Sequence, residues 1–302
     1  MATRSLDIPE KEYMLPGNRS CAGCGLAIAY RHILKALDGK AIMTIPASCL
    51  TVLGGMYPVS SVKVPWVNCA FPSTAATASG IVAGLEAIGR KDITVVAMAG
   101  DGGTYDIGIQ ALSGAAERNT DLLYICYDNE AYMNTGTQRS SATPKGVRTA
   151  TTPVAGKQTH SKDMAAIMEA HHCPYIATAS PAYPADLYDK VRKARDMQGT
   201  RYIHVHAPCS PGWVFPTRDT VEVGKLAVDT GAFVLYEIVE GVFRLTGRSE
   251  ALAKKGELKP LKDYLRRQRR FKGLPQEILD ELQKHVASSW QAYIERAKAA
   301  AQ

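Results

Sequence analysis

A chain of 302 residues, 46% of them hydrophobic, can build a substantial core in one large α/β domain or two small ones. Its net charge of +7 and pI of about 9.0 suit a bound polyanion, an acidic partner or nucleic acid. No run of eighteen apolar residues occurs and MATRSLDIPEKEYMLPGNRS has no apolar signal core, so no membrane span is expected and a cytoplasmic location is the default.

Residues 1–20 have little periodicity and read as an extended N-terminal arm suited to lying on a partner subunit. Cys21-Ala22-Gly23-Cys24-Gly25 follows, at the start of a helical pattern carrying Leu26, Ile28, Ala29, Ile33, Leu34 and Leu37. Unpaired N–H groups at a helix start favour thiolate or a negatively charged cluster. By itself this C-x-x-C fits a redox dithiol, half a zinc site or part of an iron–sulfur site. Next come AIMTIPAS, an apolar run ending at Cys49, a short strand over Val62–Val67, and a Ser/Thr/Ala/Gly-rich helix over Ser73–Gly89.

The stretch Val95–Arg139 organises the rest. An apolar strand, Ile93–Ala99, ends at Gly100-Asp101-Gly102-Gly103. A helix-period segment with Ile107, Ile109, Leu112 and Ala115 follows, then a second strand, Leu122–Tyr127, ending at Asp128-Asn129. This is the pattern of a parallel βαβ crossover. Asp101 and Asn129 both fall at the carboxyl edge of the sheet, where open α/β folds bind ligands. A carboxylate and an amide oxygen one strand apart suit Mg²⁺ carrying a diphosphate, and the glycines let backbone approach phosphate. The competing reading is an acidic turn followed by an Asx turn.

Residues 134–160 form a long polar loop expected to cover a pocket, with Arg139, Lys145 and Arg148 available to an anionic substrate or a partner. A helix (Lys162–Ala170), a strand (Tyr175–Ala179), a helix (Ala182–Met197) and a strand (Tyr202–Ala207) complete one doubly wound, mostly parallel sheet over 21–215. Residues 216–302 read as a C-terminal helical and hairpin extension packed on the core or a neighbour. It contains a helix (Val221–Thr230), a hairpin (Val234–Leu245) and helices over Leu261–Arg267 and Pro275–Ala300. Nine lysines and arginines crowd 254–272, a solvated face or a dock for an acidic partner; without interleaved aromatics, nucleic acid is not expected.

Seven cysteines, an odd number, argue against a disulfide framework. Cys126, Cys173 and Cys69 read as packing residues, whereas Cys49 and Cys209 share the carboxyl edge with Asp101 and Asn129.

Gly100-Asp101-Gly102 followed by Asn129 resembles the thiamin diphosphate fingerprint. YDNEAYMNTGTQRSSATP (Tyr127–Pro144) resembles the β subunit of the 2-oxoacid:ferredoxin oxidoreductases, pyruvate synthase type, and the similarity runs from Cys21 to about Trp290. The resemblance implies thiamin diphosphate with Mg²⁺ held by Asp101, Asn129 and the Ala131 carbonyl. It implies a cofactor cradle of Gly100, Gly102, Gly103, Met133, Asn134 and Thr135, with Asn134 over the thiazolium as the catalytic residue, and a pocket bordered by the start of the Ser73–Gly89 helix. It also implies one [4Fe–4S] cluster on Cys21, Cys24, Cys49 and Cys209. Expected partners are an α subunit supplying the carboxylate that activates the pyrimidine, γ/δ subunits, ferredoxin, a 2-oxoacid and CoA. Pyruvate is the first expectation for substrate. Oxalate in a CoA-independent relative, a non-oxidative thiamin decarboxylase or carboligase with zinc or free thiols, and a non-catalytic scaffold subunit are the alternatives.

Overall fold

The computed structural model describes Arg4 and residues 7–300. Helix α1 (Gly25–Leu37) forms because its apolar residues recur on one face; Ile33, Leu34 and Leu37 are fully buried, each contributing about 2 kcal/mol. It stops at Asp38, whose left-handed backbone donates to the Lys35 carbonyl. Strand β1 (Ala41–Pro46) and the short helix α2 (Cys49–Gly54) follow. Next are β2 (Trp66–Cys69), α3 (Thr74–Ala87), β3 (Thr94–Gly100), α4 (Ile109–Glu117), β4 (Leu123–Asp128), α5 (Met164–Ala170), β5 (Tyr175–Ala179), α6 (Pro184–Asp196) and β6 (Arg201–His206).

These six strands are all parallel, in the order β2-β1-β3-β4-β6-β5. The chain turns outward from β1 to β2 and then returns to the other side of β1 for β3, so the topological switch lies between β1 and β3. In such sheets the crevice at the switch binds ligands. Helices α1 and α6 cover one face and α3, α4 and α5 the other, which is why β4 and β5 are buried on both sides and read as unbroken apolar runs.

After β6 come α7 (Ser210–Trp213), α8 (Thr220–Asp229), a hairpin of β7 (Tyr236–Val239) and β8 (Val242–Leu245), then α9 (Gly247–Lys255), α10 (Leu261–Leu265) and α11 (Gln276–Ala299). The hairpin joins the main sheet: β7 pairs antiparallel with β5 and β8 with β7, giving eight strands. Helix α11 lies across β8 with Trp290, Tyr293 and Ile294 against the core. A third apolar cluster joins Trp213, Phe215, Leu261, Tyr264, Phe271 and Leu282, and seats the C-terminal segment beside the carboxyl edge.

One local expectation differs from the structure. The strand expected over Val62–Val67 begins at Trp66; Val62 only bridges to Met14, and Pro65, with no N–H, interrupts the ladder between them. Of the arm expected over 1–20, Met1, Ala2, Thr3, Ser5 and Leu6 lie outside the described residues. Of the rest, Tyr13 is buried and Glu12 pairs with Arg31 and Lys35 of α1, while Pro9, Glu10, Lys11, Pro16 and Gly17 are exposed. Among the described residues no helix is long and apolar enough to cross a membrane.

Candidate active site at the strand ends

Four adjacent strands deliver the site. Cys49 follows β1, Asp101 follows β3, Asn129 follows β4 and Cys209 follows β6, all at the carboxyl edge. Gly100 lies opposite Tyr127 in the β3–β4 register, which brings Asp101 and Asn129 together. Both are buried, Asp101 to 1% exposure. The Asn129 amide oxygen lies 3.1 Å from Asp101 Oδ1 and 2.9 Å from the Ala131 carbonyl oxygen. A cation between them would let all three oxygens face inward; without one, the amide turned over would donate its NH₂ to both oxygens. An octahedral Mg²⁺ with ligands at about 2.0–2.1 Å sets neighbouring oxygens roughly 2.8–3.0 Å apart, whereas the longer Ca²⁺ bonds spread them further. The donor set therefore fits Mg²⁺. Burial, then the charge of Asp128, pushes the Asp101 carboxyl well above the usual range, so a charge on it calls for a cationic partner.

The turn carrying these oxygens is over-determined. Glu130 sits in the left-handed region at φ 64°, a conformation costing a non-glycine residue about 1–2 kcal/mol. Its N–H donates to Asp128 Oδ1 at 2.8 Å, its carbonyl accepts from Thr143 Oγ1 at 2.7 Å, and its carboxylate meets Arg270 Nη2 at 2.5 Å. Burial opposes charge on Asp128, but His204 Nε2, 2.9 Å from Oδ2, holds that carboxyl below its usual range. Ser140 Oγ donates to Asp101 Oδ2 at 2.5 Å, and the Trp213 indole N–H donates to the Asn129 carbonyl at 2.8 Å. After Asp101 the chain makes one π-helical turn, Gly102–Asp106, a feature common at functional sites.

The cysteines meet on the same edge. Cys21, Cys24, Cys49 and Cys209 all line one cavity of about 170 Å³, together with Asn129, Met133 and Asn134. The C-x-x-C loop is sewn to the Cys209 loop by three hydrogen bonds: Gly25 N–H to the Pro208 carbonyl at 3.1 Å, Ser210 Oγ to the Ala22 carbonyl at 2.8 Å, and Thr220 Oγ1 to the Gly23 carbonyl at 2.6 Å. Gly23 has φ 68°, and a Cβ there would sit 2.3 Å from the Thr217 carbonyl oxygen. A Cβ on Gly212 would strike Met133 Sδ at 2.0 Å, so the Cys209 loop is glycine where the thioether lies against it. Burial pushes the Cys49 and Cys209 thiols up to about 12, and the neighbouring cysteines add to it. Burial also raises Cys24, while the amides of Ala27 and Leu26 at the start of α1 draw it back. Thiols held this high are poor free nucleophiles but become thiolates on a metal. Among the described residues no three His, Cys, Asp or Glu side chains converge on a single ion.

Ala131, Met133, Asn134 and Thr135 line a second cavity of about 60 Å³ with Gly100, Asp101, Gly102, Gly103, Cys49 and Asn129. Asn134 is exposed on the rim shared by both cavities. Phe71, rather than the first turn of α3, lines this pocket. Of the loop expected over 134–160 to cover a pocket, Asn134 and Thr135 line the 60 Å³ cavity and Asn134 also the 170 Å³ one, whereas 136–160 line neither. Their polar groups turn inward instead: Ser140 to Asp101, Ser141 to Asp106, Thr143 to the Glu130 carbonyl, and Lys157 Nζ to the Ser141 carbonyl. Lys145 pairs with Glu281 of α11. Cys126 and Cys173 are core residues, and Cys69 is half-buried. Sequence reading missed His204, Trp213, Arg270 and Ser140. Only Ser140 carried a local signal, lying within the quoted stretch ending at Pro144.

Residues 48–205 match the thiamine pyrophosphate enzyme, C-terminal TPP binding domain family. The chain is 48% identical over 287 residues to pyruvate synthase subunit PorB of Methanothermobacter marburgensis, covering 94% of this chain and 98% of that one. It is 44% identical over 298 residues to ketoisovalerate oxidoreductase subunit VorB of Pyrococcus abyssi, covering 95% and 94%. The solved 2-oxoglutarate:ferredoxin oxidoreductase of Magnetococcus marinus shares the fold, with a TM-score of 0.57 and 23% identity over 65% of this chain and 66% of that one. These relatives do not favour the oxalate or the non-oxidative alternative. With the fingerprint at a parallel-sheet switch point and relatives matched nearly end to end, the chain belongs to the 2-oxoacid:ferredoxin oxidoreductase family, as its thiamin diphosphate-binding subunit.

Proposed function

We propose that this chain holds both the Mg²⁺–thiamin diphosphate and the first electron acceptor of a pyruvate-type enzyme that passes electrons to ferredoxin and the acyl group to CoA. Asp101, Asn129 and the Ala131 carbonyl would hold Mg²⁺, Gly100, Gly102 and Gly103 the diphosphate, and Met133, Asn134 and Thr135 the thiazolium end. Cys21, Cys24, Cys49 and Cys209 would hold a [4Fe–4S] cluster. The observation that carries this reading is that the two cavities share a wall made of Cys49, Asn129, Met133 and Asn134. When bound, thiamin diphosphate supplies an electron sink for loss of CO₂ from a 2-oxoacid, and the cluster a one-electron acceptor.

The chain's own side chains position and screen. Asn134 makes no hydrogen bond among the described residues, so its amide is free to meet a substrate oxygen at the rim. Tyr127, Phe71 and Met133 keep the inner wall apolar and exclude water. Asp101 is the only carboxylate lining the 60 Å³ cavity among the described residues, and the metal claims it. As the family resemblance implies, the carboxylate that activates the pyrimidine would come from an α subunit, with γ/δ subunits completing a cytoplasmic assembly. In this reading residues 21–215 are the catalytic domain and 216–302 its extension. Pyruvate is the first substrate, ahead of the branched 2-oxoacid of the ketoisovalerate relatives.

The test separates the two groups in the assembled enzyme. Asp101→Ala loses thiamin diphosphate and keeps iron, whereas Cys24→Ala loses iron and keeps thiamin diphosphate. Full content of both groups in both variants defeats the reading.

A further inference from the structure

The crowd of cations over 254–272 splits in two. Lys254, Lys255, Lys259 and Arg267 make exposed or half-exposed pairs with Glu250, Glu257, Asp229 and Glu222. Such pairs contribute about 1 kcal/mol or less. Arg270 is different, because its side chain is only 5% exposed. Burying a guanidinium is costly unless its partners are well placed, and Phe271 and Leu261 already anchor this segment by apolar contact.

The partners of Arg270 belong to the two halves of the site. Nη2 lies 2.5 Å from Glu130 Oε2, a close ion pair in which neither atom meets hydrogen-bond geometry, and Glu130 is the left-handed residue between Asn129 and Ala131. The guanidinium carbon stacks 3.9 Å from the centre of the Trp213 ring, and Trp213 ends the helix that begins just after Cys209. Nε donates to Gln268 Oε1 at 2.9 Å, which fixes the plane of the group. Trp213 closes the circuit, its indole N–H donating to the Asn129 carbonyl.

We propose that Arg270 is a positioning residue that locks the Asn129–Ala131 turn and the Cys209 loop in one register, so that its loss is felt at the magnesium side and at the cysteine side together. The proposal rests on the metal and cluster reading given above. A lysine cannot replace it, since only the planar fork can pair with Glu130 and stack on Trp213 at once.

The test uses the assembled enzyme, with Mg²⁺-supported thiamin diphosphate binding by calorimetry and the cluster midpoint potential by EPR-monitored titration. Arg270→Met and Glu130→Gln each weaken thiamin diphosphate binding about tenfold or more, the usual scale for removing an outer partner of a metal site. Their potentials move in opposite directions. Loss of the cation makes the cluster harder to reduce, and loss of the carboxylate makes it easier. The double variant, with no unpaired buried charge, folds most readily; it binds no more weakly than either single variant, and its potential returns toward wild type. Arg270→Lys keeps the potential but not the affinity, and Arg269→Met, an exposed neighbour, changes neither. A fully loaded wild type whose Arg270 and Glu130 variants match it in affinity and potential sinks the Arg270 role alone. A wild type lacking magnesium or iron sinks the underlying reading and this proposal with it.

Discussion

Removal of a single hydroxyl, in Ser140→Ala, tests how the magnesium turn is held. Ser140 is fully buried, and its Oγ donates to Asp101 Oδ2 at 2.5 Å, the oxygen that does not face Asn129. Hydrogen bonds to a charged acceptor are worth about 1.5–3 kcal/mol, and this one fixes the carboxylate plane. If that stabilisation is expressed in the metal-bound state, Mg²⁺ binding weakens roughly ten- to hundredfold. The assay is a Mg²⁺ titration of the apo-assembly at fixed thiamin diphosphate, followed by calorimetry. Ser141→Ala is the control, since the Ser141 hydroxyl bonds to Asp106 rather than Asp101. Equal Mg²⁺ affinity of Ser140→Ala and wild type would refute the reasoning, because Asp101 would then be oriented without its only side-chain donor among the described residues.

Two further outcomes follow from other parts of the chain. Thr220→Val keeps the side-chain shape but deletes the 2.6 Å bond to the Gly23 carbonyl; iron is then lost to a chelator several-fold faster, at about 1 kcal/mol for the bond, with circular dichroism unchanged. Unaltered iron retention would mean that the clamp does not hold the cysteine loop. Glu12, hydrogen-bonded to Arg31 and then Lys35, has its carboxyl lowered to about 2 from 4.5. A depressed carboxylate stabilises the fold above its unfolded value, and that contribution fades as pH falls from about 4.5 toward 2. Glu12 and Arg31 are partly exposed, and the buried Lys35 keeps the Pro9 and Glu10 carbonyls as acceptors, so Glu12→Gln costs about 1 kcal/mol at neutral pH. The thermal-midpoint difference from wild type shrinks below pH 4.5, and a difference that grows there contradicts the pairing.

The strand-end chemistry was legible because it is local. Apolar runs of strand length stop at Gly100-Asp101 and at Asp128-Asn129, and a parallel sheet puts both at one edge. The same logic marked Cys49 and Cys209, which now line one cavity with Cys21 and Cys24. What stayed hidden is long-range. Ser140 reaches back 39 residues to Asp101, and Arg270 lies in a basic run where every cation looks solvated until the fold buries one. The polar composition of 134–160 reads as loop, yet it cannot tell that Ser140, Ser141 and Thr143 satisfy buried acceptors beneath the turn rather than covering the pocket. The alternation in 234–245 announces a hairpin but not its partner, and β5 supplies the open edge that takes it into the sheet.

The most direct measurement is the iron, magnesium and thiamin diphosphate content of the native assembly purified without oxygen, counted per copy of this chain. After subtracting iron bound by other subunits, the account predicts four irons, one magnesium and one thiamin diphosphate for each copy. A single zinc in place of that iron, or an assembly active on 2-oxoacids with no thiamin diphosphate bound, contradicts it.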